Sequence, residues 1–317
     1  MTTQRSFNDL CIENGIVIKT SQQSIKIQAE AHWFSCLPHN LKRYCPQLIY
    51  QGTKENKYFY ELEYLPHLPL NELYVHGSLP LTFWRKIFKL ANELLNHFNL
   101  SPSLLEDAKS KIQLDFIKLL TDKTEKRLSK YANESCMDIN KPTEFNKKVL
   151  PSLSHIVAEC QAAAFKLPAK PGILHGDFCF SNILYDSRSD SLKLLDPRGM
   201  DANQEFTIYG DLRYDIAKFS HSVIGGYDHI IAGLFTLKEV SPLNFEFEIH
   251  VDDISRSIIG YFEKYNLLGI SIRDILPLVT LLFISMLPLH ADNPARQRAF
   301  LANSLRIYTL WKEKKCL

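Results

Sequence analysis

Three of the oxygen-bearing side chains in residues 173–199, ILHGDFCFSNILYDSRSDSLKLLDPRG, have the types and spacing to do chemistry together. Asp177 and Asn182 stand five residues apart on a polar loop over 175–182, and a hairpin whose second strand covers 192–195 returns Asp196 beside them. Such a set suits magnesium, which prefers hard oxygen ligands, takes one or two carboxylates, and leaves other positions to water or substrate phosphates. Asn182 and Asp196 fit the metal role, which leaves Asp177 to receive a hydroxyl proton. His175 reads as an orienting residue hydrogen-bonded to backbone.

The elements that must position these groups are legible on either side. Residues 10–13 and 15–20 read as strands split by Asn14-Gly15, a strong hairpin signal. A helix is expected over 24–37, with Ala29, Trp33 and Leu37 at helical spacing. Strands over 47–51 and 57–65 flank a turn-rich connection at 52–56. Beyond residue 79 the pattern turns helical, with helices expected over 81–98, 107–131 and 143–165, another beginning in 210–218, and three or four in 252–317. The basic run 118–130 is interrupted by Asp122 and Glu125 and reads as a solvated face.

Composition excludes several classes. With 37 basic and 35 acidic residues in 317 there is no global field to draw nucleic acid. The first ten residues hold no apolar core of signal-peptide length. The apolar run 275–289, carrying Pro277 and Pro288, falls short of a membrane span and reads as a buried helix. Seven cysteines without a C-x-x-C pair point to reduced thiols and a cytoplasmic setting.

His175-Gly176-Asp177, Asn182 and the later Asp196 follow the order of kinase catalytic loops. With Gly176 where protein kinases have Arg, and Pro197-Arg198 where they have Phe-Gly, the pattern resembles the aminoglycoside phosphotransferase and choline kinase family. That resemblance implies a two-lobed protein-kinase-like α+β fold, with a small antiparallel lobe over 1–66 and a helical lobe over 67–317. It implies ATP and Mg2+ as cofactors, Asp177 as the catalytic group, and Asn182 and Asp196 as metal ligands. The strand 15–19 is similar to the kinase strand whose lysine reaches the nucleotide phosphates, so Lys19 paired with Glu30 takes that role. Ser6 and Asn8 match the phosphate loop, Glu63 and Leu65 fall in the hinge (63–66) that meets adenine, and Asp215 braces the catalytic loop. His290, Asp292 and Arg296 stand where the acceptor pocket is walled.

The glycine-poor loop before Lys19 leaves the preceding strand nearly absent, either lost or removed with an upstream domain. The activity so implied is transfer of the γ-phosphoryl group to a hydroxyl of a small metabolite. Residues 196–199, with Tyr214 to Lys218 following, resemble a branch found beside bacterial capsule and lipopolysaccharide genes, whose acceptors are sugars or amino alcohols. Two alternatives stay open: a catalytically inactive nucleotide-binding interaction module, and transfer of AMP instead of phosphate.

Overall fold

The computed structural model describes residues 8–21, 24–100 and 106–313. In chain order the elements begin β1 (Asn8–Glu13), β2 (Ile16–Ser21), α1 (Ser24–Cys36), β3 (Leu48–Lys54), β4 (Lys57–Glu63), β5 (Leu68–Pro69), α2 (Leu70–Val75) and α3 (Leu81–Phe98). Next come α4 (Glu106–Leu120), α5 (Asp122–Ser135), β6 (Pro142–Phe145), β7 (Lys148–Ser152), α6 (Leu153–Lys166), β8 (Pro171–Ile173), β9 (Ile183–Asp186), β10 (Ser191–Leu194) and β11 (Tyr209–Asp211). The chain closes with α7 (Arg213–Val223), α8 (Tyr227–Ile231), β12 (Phe235–Ser241), β13 (Asn244–Ile249), α9 (Asp253–Glu263), α10 (Ile272–Met286) and α11 (Pro294–Lys312).

Two compact units share these elements. The first is built from Met1–His76, Lys86–Asp115 and Lys170–Asp215. Its antiparallel sheet runs β1-β2-β4-β3. The β1–β2 turn places Asn14 at φ 51° and Gly15 at φ 79°, the doubly left-handed geometry that matches strand twist and favours Asn-Gly. Helix α1 packs on this sheet and buries Ile27, Ala29, Ala31, Trp33 and Phe34, residues spread widely around its circumference. A helix apolar on so many sides needs a second partner, and the 170–215 segment supplies it. Within that segment β9 and β10 form a hairpin extended by β5, and β8 pairs with β11.

The second unit comprises Gly77–Arg85, Phe116–Ala169 and Ile216–Leu317. Its centre is α10, packed against α11, α6 and α5. The segment Ile272–His290 is long and apolar enough to cross a membrane, yet it is mostly buried, as a core helix is. A four-stranded sheet, β12-β13-β6-β7, lies in this unit with β13 parallel to β6.

Local structure departs from expectation in three places. The helix expected over 143–165 starts only at Leu153, where the Ser152 side chain caps it by accepting from the His155 N–H. Ahead of it, Asn146 and Lys147 adopt φ 48° and 68° and turn the chain into the β6–β7 hairpin. The helix expected over 107–131 is broken at Thr121, whose φ and ψ are −94° and −84°, with Asp122 and Glu125 opening the next helix. Strands β12 and β13 were not expected, although Phe245, Phe247 and Ile249 alternate with acidic residues and Ser241-Pro242 marks a turn between the two.

Candidate active site

Every residue of the loop and lysine groups falls in the first unit. Lys19 lies on β2 in register with Tyr60 of β4. Its ammonium is 2.7 Å from Glu30 Oε2 on α1 and 3.0 Å from Asp196 Oδ1. The Tyr60 hydroxyl donates to the same Glu30 oxygen at 2.6 Å, so the glutamate is held by two donors. Burial lowers the Lys19 pKa, but the Asp196 and Glu30 carboxylates outweigh it and raise it overall, which keeps the ammonium charged. Burial pushes Glu30 up despite its lysine partner.

The catalytic-loop candidates are fixed mostly through backbone. Asp215, fully buried, accepts the His175 N–H and the Gly176 N–H, both at 2.8 Å, one on each carboxylate oxygen. Burial raises its pKa to about 7 against the pull of those two donors. His175 is buried too, its Nε2 2.9 Å from the Leu195 carbonyl and its Nδ1 accepting the Asp177 N–H at 3.2 Å. One neutral tautomer satisfies both contacts, Nε2–H donating and Nδ1 accepting. Burial lowers the ring's pKa to about 4, which keeps that neutral form at physiological pH.

Asn182 closes the loop on itself: its amide nitrogen donates to the Asp177 backbone oxygen and to Asp177 Oδ2, both at 3.0 Å. The Asp177 carboxylate is thereby oriented by a side chain five residues on. Asn182 also accepts the Leu195 N–H on its backbone oxygen at 2.9 Å, which sets the residue before Asp196 against the loop. Asp196 has a left-handed backbone, φ 55°, with about half of its side chain exposed (52%). This set offers the carboxylates of Asp177 and Asp196 and the amide of Asn182. Among the described residues no group of three or more His, Cys, Asp or Glu side chains could hold a metal. A poor carboxylate count with amide oxygen suits magnesium completed by phosphate oxygens and does not suit zinc.

Several supporting residues were hidden in the sequence. Trp33 on α1 donates its indole N–H to the Leu174 carbonyl at 2.9 Å and meets His175 edge-on, 5.7 Å between ring centroids. Gly199 sits so close to α1 that an added Cβ would lie 1.9 Å from the Ala29 carbonyl oxygen. Arg198 donates Nη2 to the Gly176 carbonyl at 2.8 Å and places its guanidinium carbon 4.4 Å from the Tyr214 ring centroid. In sequence Trp33 and Tyr60 have the spacing of ordinary core aromatics, and the only signal for Arg198 was its place two residues after Asp196.

Other expected site residues are placed as follows. Glu63 ends β4, its N–H donating to the Gln47 carbonyl at 2.9 Å and its carboxylate accepting the Gln47 N–H at 3.2 Å. The Leu65 carbonyl accepts the His67 N–H at 2.8 Å, while no hydrogen bond to the Leu65 N–H is found among the described residues. Ser6 lies outside the described residues; Asn8 opens β1, and its side chain is not among those described. In the second unit His290 is buried edge-on to Phe300, Asp292 is exposed, and the Arg296 N–H binds the side chain of Asn293, the N-cap of α11.

No family model matches the sequence, and no curated protein does. Among solved structures the chain is similar to a thermostable mutant of the aminoglycoside phosphotransferase APH(4)-Ia in ternary complex with AMP-PNP and hygromycin B. The TM-score is 0.56 at 12% identity, over 99% of this chain and 93% of that one. It is also similar to a point mutant of an aminoglycoside 2′-phosphotransferase in complex with GDP, with TM-score 0.54 at 16% identity, over 98% of this chain and 89% of that one.

Proposed function

Taking the aminoglycoside phosphotransferase fold of this chain as the premise, we propose that it is a small-molecule kinase moving the γ-phosphoryl group of ATP, with Mg2+, to a hydroxyl of a small metabolite. The observation that carries this reading is the Lys19 ammonium bridging Glu30 and Asp196 in the unit where Asn182 orients Asp177. A buried cation on the sheet and a cluster of oxygens on a rigid loop are what phosphoryl transfer asks of a protein, since positioning and charge neutralisation supply most of the catalysis.

In this mechanism Asp177 accepts the proton of the acceptor hydroxyl as its oxygen attacks the γ-phosphorus and the bond to the β-phosphate oxygen breaks. Lys19 would leave Asp196 to meet the phosphates, while Glu30, itself held by the Tyr60 hydroxyl, keeps its hold on the ammonium. Asn182 and Asp196 would hold the magnesium, which when bound neutralises charge on the phosphate oxygens. The Leu65 N–H would donate to the adenine of bound ATP, and Glu63 ends the strand that leads to it. His290, Asp292 and Arg296 are carried as acceptor-side residues. The acceptor is a sugar or amino alcohol of bacterial surface-polysaccharide synthesis, supported by the resemblance carried by Asp196-Pro197-Arg198-Gly199. A cytoplasmic setting goes with it, supported by the free thiols of the six described cysteines.

Thermal unfolding with and without ATP and Mg2+ tests the first half of the proposal. Saturation at a hundred times the dissociation constant stabilises by about 2.7 kcal/mol; no shift with either ATP or GTP overturns nucleotide binding, and a shift without turnover on any acceptor points to the inactive nucleotide-binding module. Turnover on a panel of sugars, amino alcohols and aminoglycosides tests the second half, and product mass separates phosphate from AMP transfer. Asp177→Asn should cut kcat about 100- to 10,000-fold with nucleotide affinity retained; normal activity in that variant overturns the assignment.

A further inference from the structure

We propose that Arg198 is a positioning residue of this site, fastening the segment that carries Asp196 to the loop that carries Asp177. The inference rests on the kinase reading and deepens it. The Arg198 N–H donates to the His175 carbonyl at 2.7 Å, and its Nη2 donates to the Gly176 carbonyl at 2.8 Å. Those carbonyls belong to the two residues preceding Asp177. Their N–H groups are taken by Asp215, so both sides of the dipeptide are occupied, one by an anion and the other by a cationic residue. The platform for the guanidinium is Tyr214, the residue before Asp215, which ties the two braces together.

The fit uses the absence of a side chain at Gly176. That residue has φ 79°, and a Cβ there would lie 2.7 Å from Arg198 Cβ and 2.9 Å from its Nε. Among the described residues no carboxylate forms an ion pair with Arg198, and its Nη1 is buried without a hydrogen-bond partner. Burying that one nitrogen without a partner opposes folding. Burial sets the pKa values of these two loop-holding groups, raising that of Asp215 and lowering that of His175, and the Arg198 charge adds a smaller downward pull on both.

The test uses the full chain with Arg198→Met, Arg198→Lys and Tyr214→Leu. Thermal unfolding, nucleotide affinity by calorimetry, kcat and KM, and amide hydrogen exchange over residues 175–178 are measured together. Arg198→Met should unfold at a temperature close to or above wild type and keep its affinity for ATP and Mg2+. It should lose about 100-fold in kcat with acceptor KM little changed, and exchange faster at 176–178. Arg198→Lys should recover part of the loss, since it keeps charge without the planar fork. Tyr214→Leu should fall in the same direction and add little to Arg198→Met.

An unchanged kcat in Arg198→Met, or a loss that follows a general drop in unfolding temperature and protection, overturns the proposal. If the wild type neither binds nucleotide nor transfers phosphate, the kinase reading fails on its own. The exchange comparison needs no turnover and still decides whether Arg198 holds the loop: unaltered protection at 176–178 overturns the clamp.

Discussion

His175 works as a neutral ring, and its two contacts explain why. Protonation would put an N–H on Nδ1 facing the Asp177 N–H, a donor against a donor. A buried ring whose pKa is lowered from 6.5 to about 4 contributes stability that is present above pH 6.5 and is lost as pH falls toward 4, about 3 kcal/mol in all. Asp215, with its pKa raised, acts in the opposite sense, since its ionised form is the disfavoured one in the folded chain. His175→Gln removes only the first contribution. The gap in unfolding temperature between wild type and His175→Gln should therefore narrow as pH drops from 7 to 5, and a constant gap would refute the neutral-ring account.

At the scale of elements, α1 joins the sheet to the catalytic segment within the first unit. Its apolar stripe was legible in Ala29, Trp33 and Leu37, which recur at helical spacing. Its second contact was not, because the Trp33 indole reaches a carbonyl 141 residues on and Gly199 meets the Ala29 carbonyl, partners that only the folded chain brings near. The loop group was easier to read, since Asp177, Asn182 and Asp196 lie within one loop and hairpin. The β6–β7 hairpin was missed because its left-handed turn is Asn146-Lys147, which lacks the glycine that normally announces such a turn. Gly199→Ala tests the α1 contact. Its φ of 64° and the 1.9 Å approach leave no space for a methyl, so the substitution should destabilise by at least about 2 kcal/mol in urea unfolding. A loss below about 0.5 kcal/mol would mean that α1 and the segment move apart freely.

For the whole molecule, the two-lobed α+β kinase-like fold was legible from alternating strand patterns early in the chain and helical spacing later. The compact units are less so, because each is assembled from three separate stretches. Order in sequence says little about which stretches pack together when the joining contacts are single side chains on distant backbone. A consequence is that residues 1–76 alone should not fold: α1 would expose the face that Leu174 and Gly199 cover, along with Ala29 and Trp33, which are fully buried in the intact chain. Circular dichroism and exchange on that fragment should show an unprotected chain, whereas cooperative unfolding of the fragment would count against the interdependence.

The left-handed backbone of Asp196 has a bearing on which sequences could ever occupy this site. At φ 55° glycine, asparagine and aspartate are the residues that sit with least strain. Pairing with the Lys19 ammonium asks for a carboxylate. Only one letter of the amino-acid alphabet meets both demands, so the usual exchange of aspartate for glutamate is closed here by conformation as much as by reach. Asparagine is accordingly the substitution that subtracts the charge while leaving the chain's path alone.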